Sequence, residues 1–438
     1  QRYKESNTER QRTYIKRVSR LLYKARKSTH TSSFFSAVQF LLSRNVCSGI
    51  SPCSPDISAG GYTSLYCTFV YHNYFTLIGY MGKKRLLSLD ALKGVAILMV
   101  IWGHFYLFGD VDVLSTSSFL HRFVLAVHMS VFVLIAGYLS QRKVDSFSSL
   151  KRFFQDKFVR LLLPALLWYP LWRLWHDGQL EWVGIMGNQY WFTLHLFIYF
   201  VLFLIQRSIV DSLLRLTPEK QRKWIEVGLH VALTIGLYYF VHDGLFRLSP
   251  RMGGMLHPIV RSRLECLYPY FVIGWLIGRL DLLEWLRSSR VVAIAFIALV
   301  VCLGDMMEGR DAKTYMENYL AYGLWDMYRL MALSFFVVLL NAMHAVTERG
   351  GRLSKWLVLL GQWSLPIYFI HYFFLPAAPG MHAWLCEALP WYRLSMELAI
   401  GGIGTFVALL PTLAVVYCIR LNPYLDFALF GEKGRLKK

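Results

Sequence analysis

Two residues at a spacing of eleven, Lys93 and His104, are the first in this chain whose types and register could act together. At ~100° per residue they share one helix face, separated by roughly 16 Å of rise. Asp90 falls on the same stripe, three residues before Lys93. An imidazole titrates near neutrality and can serve as a general base, while an ammonium holds an anion. A cation at one end of a helix and an imidazole far along it make a long reach for a small substrate. The pair suits an extended anionic cofactor whose reactive end lies at His104.

Further polar residues sit inside apolar runs, where they are costly and become functional candidates. They are His128, His195, Glu265, Asp326, Arg329, His371 and Glu397. Asp326 and Arg329 are three apart and can pair on one helix face. Lys157 and Arg160 precede Leu-Leu-Leu-Pro at 161–164, as anchoring cations would. Any one of these could be a hydrogen-bonded structural residue; convergence from several spans points to a polar cavity. No metal-ligand spacing, phosphate-binding loop or serine nucleophile elbow is visible. Cys266, Cys302, Cys386 and Cys418 read as packing residues.

The elements that must position these groups are membrane helices. Only 17% of the 438 residues are charged, against ~25% in soluble proteins, and 55% are hydrophobic. Mean hydropathy is +0.39. That excludes disorder, and seven cysteines are too sparse for a disulfide-stapled module. The reading is an all-α, polytopic integral membrane protein with about ten transmembrane helices, at 91–109, 119–140, 158–176, 190–206, 225–242, 264–280, 290–304, 321–343, 356–376 and 395–419. Lys and Arg then alternate by side. The loops 82–85, 141–157, 206–224, 279–290, 344–355 and 420–438 carry 24; the intervening loops carry 7. The positive-inside rule puts both ends of the core in the cytoplasm. The net charge of +20 is thereby a topology signal, with no nucleic acid as partner. Most of the polar residues above gather in the outer half, His128 lying at mid-depth, with Lys93, Lys157 and Arg160 at the cytoplasmic face. One outer loop, 243–263, is basic (Arg247, Arg251, Arg261, Arg263) and could form a lip for an anionic acceptor.

Residues 1–80 differ. The first methionine is Met81, and the preceding stretch is basic and rich in Ser and Thr. The expectation is that 81–438 is the functional membrane domain and that 1–80 is not part of its fold.

Several motifs carry a resemblance. Leu-Ser-Leu-Asp-Ala-Leu-Lys-Gly-Val-Ala-Ile-Leu-Met-Val-Ile-Trp-Gly-His (87–104) is similar to the first span of the acyltransferase 3 family, whose basic residue, ten residues, then His pattern Lys93 and His104 match. His128-Met-Ser-Val-Phe-Val-Leu-Ile-Ala-Gly-Tyr-Leu139 resembles its Ser-Gly-Tyr-Leu stretch, with Ala136 in place of Ser. Lys157 and Arg160 resemble a pair that commonly has Arg at both positions. Gln189-Tyr-Trp-Phe-Thr-Leu-His195 and Gly361-Gln-Trp-Ser-Leu-Pro-Ile-Tyr-Phe-Ile-His371 resemble later family segments.

The resemblance covers about 85–420 and implies an integral membrane O-acyltransferase, of the bacterial inner (plasma) membrane. Its donor would be acetyl-CoA or another acyl-CoA on the cytoplasmic side, with no metal. Its acceptor would be a hydroxyl of a glycan or lipid-linked sugar. The implied catalytic set is His104 with Lys93 and Asp90; Lys93, Lys157 and Arg160 would hold the cofactor. Trp191, His195, Asp326, Arg329 and His371 form the acceptor-binding set. The rival reading is a secondary transporter of a polar or anionic solute.

Overall fold

The computed structural model describes residues 86–109, 118–141, 146–178, 189–215, 217–219, 221–241, 257–307, 327–381, 385 and 390–432. The N-terminal segment 1–80 and its boundary lie outside these. Among the described residues every regular element is helical: α1 Leu87–Phe108, α2 Phe119–Tyr138, α3 Phe147–Lys157, a π-turn Phe158–Leu162, α4 Leu163–Asp177, α5 Trp191–Leu214, α6 Arg222–Tyr239, α7 His257–Arg279, α8 Leu283–Leu286, α9 Ser289–Met307, α10 Met327–Arg349, α11 Gly351–Gln362, α12 Ser364–Ile370, a 3₁₀ turn His371–Phe374, α13 Pro390–Leu421 and α14 Pro423–Phe430.

Helix therefore stands at each of the ten places expected. Six of these helices (α1, α2, α5, α9, α10 and α13) are long and apolar enough to cross a membrane, or up to seven if α11 and the helical stretch after it count as one bent span. The count of about ten crossings is not confirmed by that measure. Of the three that fall short, α4 is only 15 residues long, while α6 opens with Arg222, Lys223 and Glu226 and α7 contains Arg263, Glu265 and Arg279.

The core is built on two close helix crossings. A Cβ on Gly361 would run into the carbonyl oxygen of Asp90, and one on Gly94 into that of Leu357. Thus α1 and α11 touch backbone to backbone, the small-residue packing that membrane helices favour because lipid supplies no hydrophobic drive between them. Gly137 and Gly274 bring α2 against α7 in the same way. Around these crossings the apolar interior holds fully covered Leu92, Ile97, Ile101, Phe271, Trp275 and Phe369.

The expected span 356–376 is broken. α11 ends at Gln362, Trp363 turns the chain, and the following helical stretch departs by 66°. Pro366 sits in the first turn of α12, where it offers no N–H to continue the preceding helix. The bend swings His371 inward. At the opposite end, Gly431 ends α14 at φ +68, and a Cβ there would strike the carbonyl of Val159. The C-terminal helix is thereby seated on the π-turn.

The crossing yields a testable contrast. Gly361→Val should cost at least the ~1–3 kcal/mol typical of overpacking, because backbone cannot move aside as a side chain can. Gly402→Ala, where an added Cβ meets nothing, should be neutral or gain up to ~1 kcal/mol. Thermal unfolding of the detergent-solubilised protein, followed by size exclusion, measures both. Equal midpoints for the two variants would contradict the close crossing.

Candidate functional site

His104 lies about one turn short of the end of α1, where that helix meets the bent α12 segment. Its Nδ1 is 2.8 Å from His371 Nε2, and the rings stack with centroids 5.1 Å apart. On the other side of the His104 ring, the Tyr372 hydroxyl is 3.2 Å from Nε2. Two residues 267 positions apart in sequence thus share a hydrogen bond.

The surrounding wall is hydrogen-bonded through. Tyr372 and Tyr368 both donate to the Gln189 carbonyl, at 2.8 and 2.6 Å, and Tyr190 donates to the Phe369 carbonyl at 2.8 Å. These bonds tie the start of α5 to the bent segment. His195 donates from Nδ1 to the Trp191 carbonyl at 2.7 Å, and the Arg263 guanidinium stacks on the Trp191 ring at 4.0 Å. Arg263 also lies within electrostatic reach of Tyr199, Tyr368 and Tyr372, so this end of the basic loop 243–263 faces the histidine site. Arg247, Arg251 and Arg261 lie outside the residues whose side chains are described. His121 and His128 are within electrostatic reach of His104 from α2.

Other expected site residues sit elsewhere. Asp326, and with it the proposed Asp326–Arg329 pair, lies outside the described residues. Arg329 packs on Tyr238 of α6, 5.1 Å from the ring centroid, in a cluster with Glu265 and beside a small cavity lined by Thr234, Tyr238, Glu265 and Tyr268. The structure does not bring it to His104. Glu397 is held in place structurally: Ser118 donates to Oε2 at 2.8 Å and Arg393 to Oε1 at 3.0 Å, clamping the start of α2 to α13.

At the other end of α1, Lys93 Nζ lies 2.8 Å from Asp90 Oδ1, with the Asp90 side chain 5% exposed. Trp363, next to that crossing, carries Arg420 above its ring at 5.3 Å. Arg420 reaches Asp426 of α14 at 3.3 Å. Two residues beyond α14, Glu432 meets Arg160 at 3.3 Å. Lys157 rests on the face of Phe200, 3.4 Å from the ring centroid. Burial there, and then the neighbouring Arg160, lower the Lys157 ammonium to about 8, against the opposing pull of Asp156. Arg420 and Arg160 are therefore both tied to carboxylates in or just beyond the C-terminal helix.

Sequence reading missed Arg420, whose only signal was the basic count of the last loop, and Tyr372 and Tyr368, which look like ordinary interfacial aromatics. Among the described residues Cys266, Cys302 and Cys418 form no disulfide. Among the described residues no group of three or more His, Cys, Asp or Glu could hold a metal.

The Asp90–Lys93 pair predicts coupling in stability. Lys93→Met takes the ammonium from beside a buried carboxylate and should cost about 2 kcal/mol, below the ~3–5 kcal/mol of fully buried pairs because Lys93 is 21% exposed. Asp90→Asn added to it should return most of that loss. Thermal midpoints of the four proteins of the cycle give the coupling; strict additivity would refute it.

The comparisons bear on this arrangement. A family model described as "Acyltransferase domain" matches residues 86–419, which include both ends of the α1 stripe, the bent segment and most of α13. No curated protein and no solved structure matches the chain. With a match over nearly the whole helical bundle, the chain belongs to the acyltransferase 3 family and is a membrane protein of acyltransferase type.

Proposed function

We propose that the protein moves an acyl group, acetyl from acetyl-CoA in the simplest case, from cytoplasmic acyl-CoA to a hydroxyl of a sugar in a surface glycan or lipid-linked precursor. The observation that carries this reading is the division of α1: a cation paired to Asp90 at one end, and an imidazole in a hydrogen-bonded wall at the other. In this reading all ten helical places cross the bilayer, with both ends of the core in the cytoplasm as the loop charges alternate.

The donor's phosphates lie at the basic end, held by Lys93, Lys157 and Arg160. Asp90 orients Lys93 and does not touch the anion. Arg and Lys differ here: Arg160 can hold a phosphate through two N–H groups, whereas Lys157 acts as a point charge. The pantetheine arm follows α1 toward His104. An acceptor hydroxyl attacks the thioester carbonyl as His104 takes its proton; the C–O bond forms, the C–S bond breaks, and the proton passes to the departing thiolate. A positioned base of this kind is worth ~10²–10⁴-fold. Trp191, His195 and Arg263 line the acceptor side, where an aromatic face and a guanidinium suit a sugar bearing hydroxyls or a negative charge.

Two experiments test this. His104→Ala in otherwise intact membranes should lower acceptor-dependent release of CoA from acetyl-CoA by ~10²–10⁴-fold, with loss of the acetyl increment on surface glycans seen by mass spectrometry. Normal transfer by that variant would refute the base. Uptake of a solute without CoA release would favour the transporter instead.

Lys157 supplies a pH signature. Its ammonium near 8 is charged below that pH and neutral above it, so the KM for acetyl-CoA should rise as pH passes through about 8. Lys157→Met should have the raised KM at every pH and lose the step. A step unchanged in that variant would remove Lys157 from the donor site.

A further inference from the structure

We infer that His371 is a positioning residue whose lone pair sets the tautomer of His104, leaving His104 Nε2 as the nitrogen that takes the acceptor's proton. This rests on the reading of His104 as the base. The argument is one of donors and acceptors. His371 Nδ1 is 3.0 Å from the carbonyl oxygen of Ile367, one turn back. A carbonyl only accepts, so Nδ1 carries the hydrogen. In the neutral ring His371 Nε2 is then a lone pair. It lies 2.8 Å from His104 Nδ1, so His104 Nδ1 carries the hydrogen of that bond. The remaining nitrogen of His104, Nε2, is left with a lone pair.

The arrangement sets His104 apart from its neighbours. His128, His195 and His371 each bond through Nδ1 to the carbonyl four residues back, those of Val124, Trp191 and Ile367. Their tautomers are fixed by their own helix. His104 makes neither ring bond to its own helix; its partners are His371 and Tyr372. Its proton position is therefore written by a residue across the bundle, held there by the 66° bend.

Tyr372 completes the device. Its oxygen lies 3.2 Å from His104 Nε2 and 2.8 Å from the Gln189 carbonyl. The hydroxyl has one hydrogen, and the closer acceptor is the carbonyl. Given to Gln189, that hydrogen leaves Nε2 able to accept from a substrate hydroxyl. When the proton arrives, the imidazolium keeps its Nδ1–H bond to His371. His371 is neutral, so it orients the ring without the charge stabilisation that a carboxylate partner would add.

The test uses the full chain in membranes, with release of free thiol from acetyl-CoA as the readout. His371→Leu removes the acceptor; His371→Gln keeps an acceptor oxygen on a flexible side chain. Loss of the correct tautomer should lower kcat by ~10²-fold in His371→Leu with the KM for acetyl-CoA unchanged, and by no more than about tenfold in His371→Gln. Solid-state ¹⁵N NMR of histidine-labelled protein gives a readout that a merely structural role would not move. The His104 signal, assigned by its loss in His104→Gln, should show an unprotonated Nε2 in the wild type and a mixture of tautomers in His371→Leu.

Retained kcat in His371→Leu, or an unchanged His104 signal, would overturn the assignment while leaving the general-base reading intact. Activity surviving in His104→Gln would instead refute the base itself, and the NMR result would still decide what His371 does to the ring.

Discussion

The structure depends on how closely two backbones can approach. Gly94 and Gly361 let α1 and α11 meet carbonyl to Cα, and no larger residue fits at either place. That contact fixes the height of α11 against α1, and with it the place where the chain bends at Trp363. The bend then sets His371 beside His104. A shift of one residue in the crossing would move His371 by ~1.5 Å along the axis and ~100° around it, enough to break a 2.8 Å hydrogen bond. The chemistry at one end of α1 is thus held by packing nearer its middle and start.

A second constraint is the cost of polar groups away from water. Such groups are satisfied within the protein: His128, His195 and His371 turn Nδ1 to the carbonyl one turn back on their own helix, and His230 turns its Nδ1 to Gln206 of α5. That habit makes the exception informative. His104 gives its hydrogen to another ring, and the tyrosines around it give theirs to the Gln189 carbonyl. Buried carboxylates follow the same rule: Asp90 meets Lys93, Glu397 meets Ser118 and Arg393, and Glu226 takes a two-pronged bond from Arg279. Charge at the basic end is handled differently. Arg160 and Arg420 are drawn to carboxylates in and just beyond α14, so the C-terminal helix organises cations that a phosphate could also claim.

Much of this was legible in the sequence because it is local. The apolar runs mark the helix places, and Asp90, Lys93 and His104 fall on one stripe by helical periodicity alone. The motifs quoted for the family cover the region its model matches. What was not legible is what depends on the third dimension. A run of apolar residues from 356 to 376 reads as one span; only the backbone reveals that Trp363 divides it. His371 could be flagged as a polar residue in a span, but nothing in its neighbours names a partner 267 residues away. Arg329 makes the same point: nothing in its spacing names Tyr238 of α6, on whose ring its guanidinium rests in the fold. Apolarity by itself marks six or seven of the ten places, because α4 is only 15 residues long and α6 and α7 carry charged residues that a packed bundle accommodates.

The central claim is that donor and base work from opposite ends of α1, and vesicle sidedness tests it most directly. Sealed vesicles of both orientations, given radiolabelled acetyl-CoA outside only, separate the possibilities. The account predicts label on a glycan or lipid-linked acceptor only when the Lys93 end of α1 faces the added donor, with the labelled product appearing in the lumen. Labelling in the opposite orientation, or product confined to the side of the donor, would contradict it.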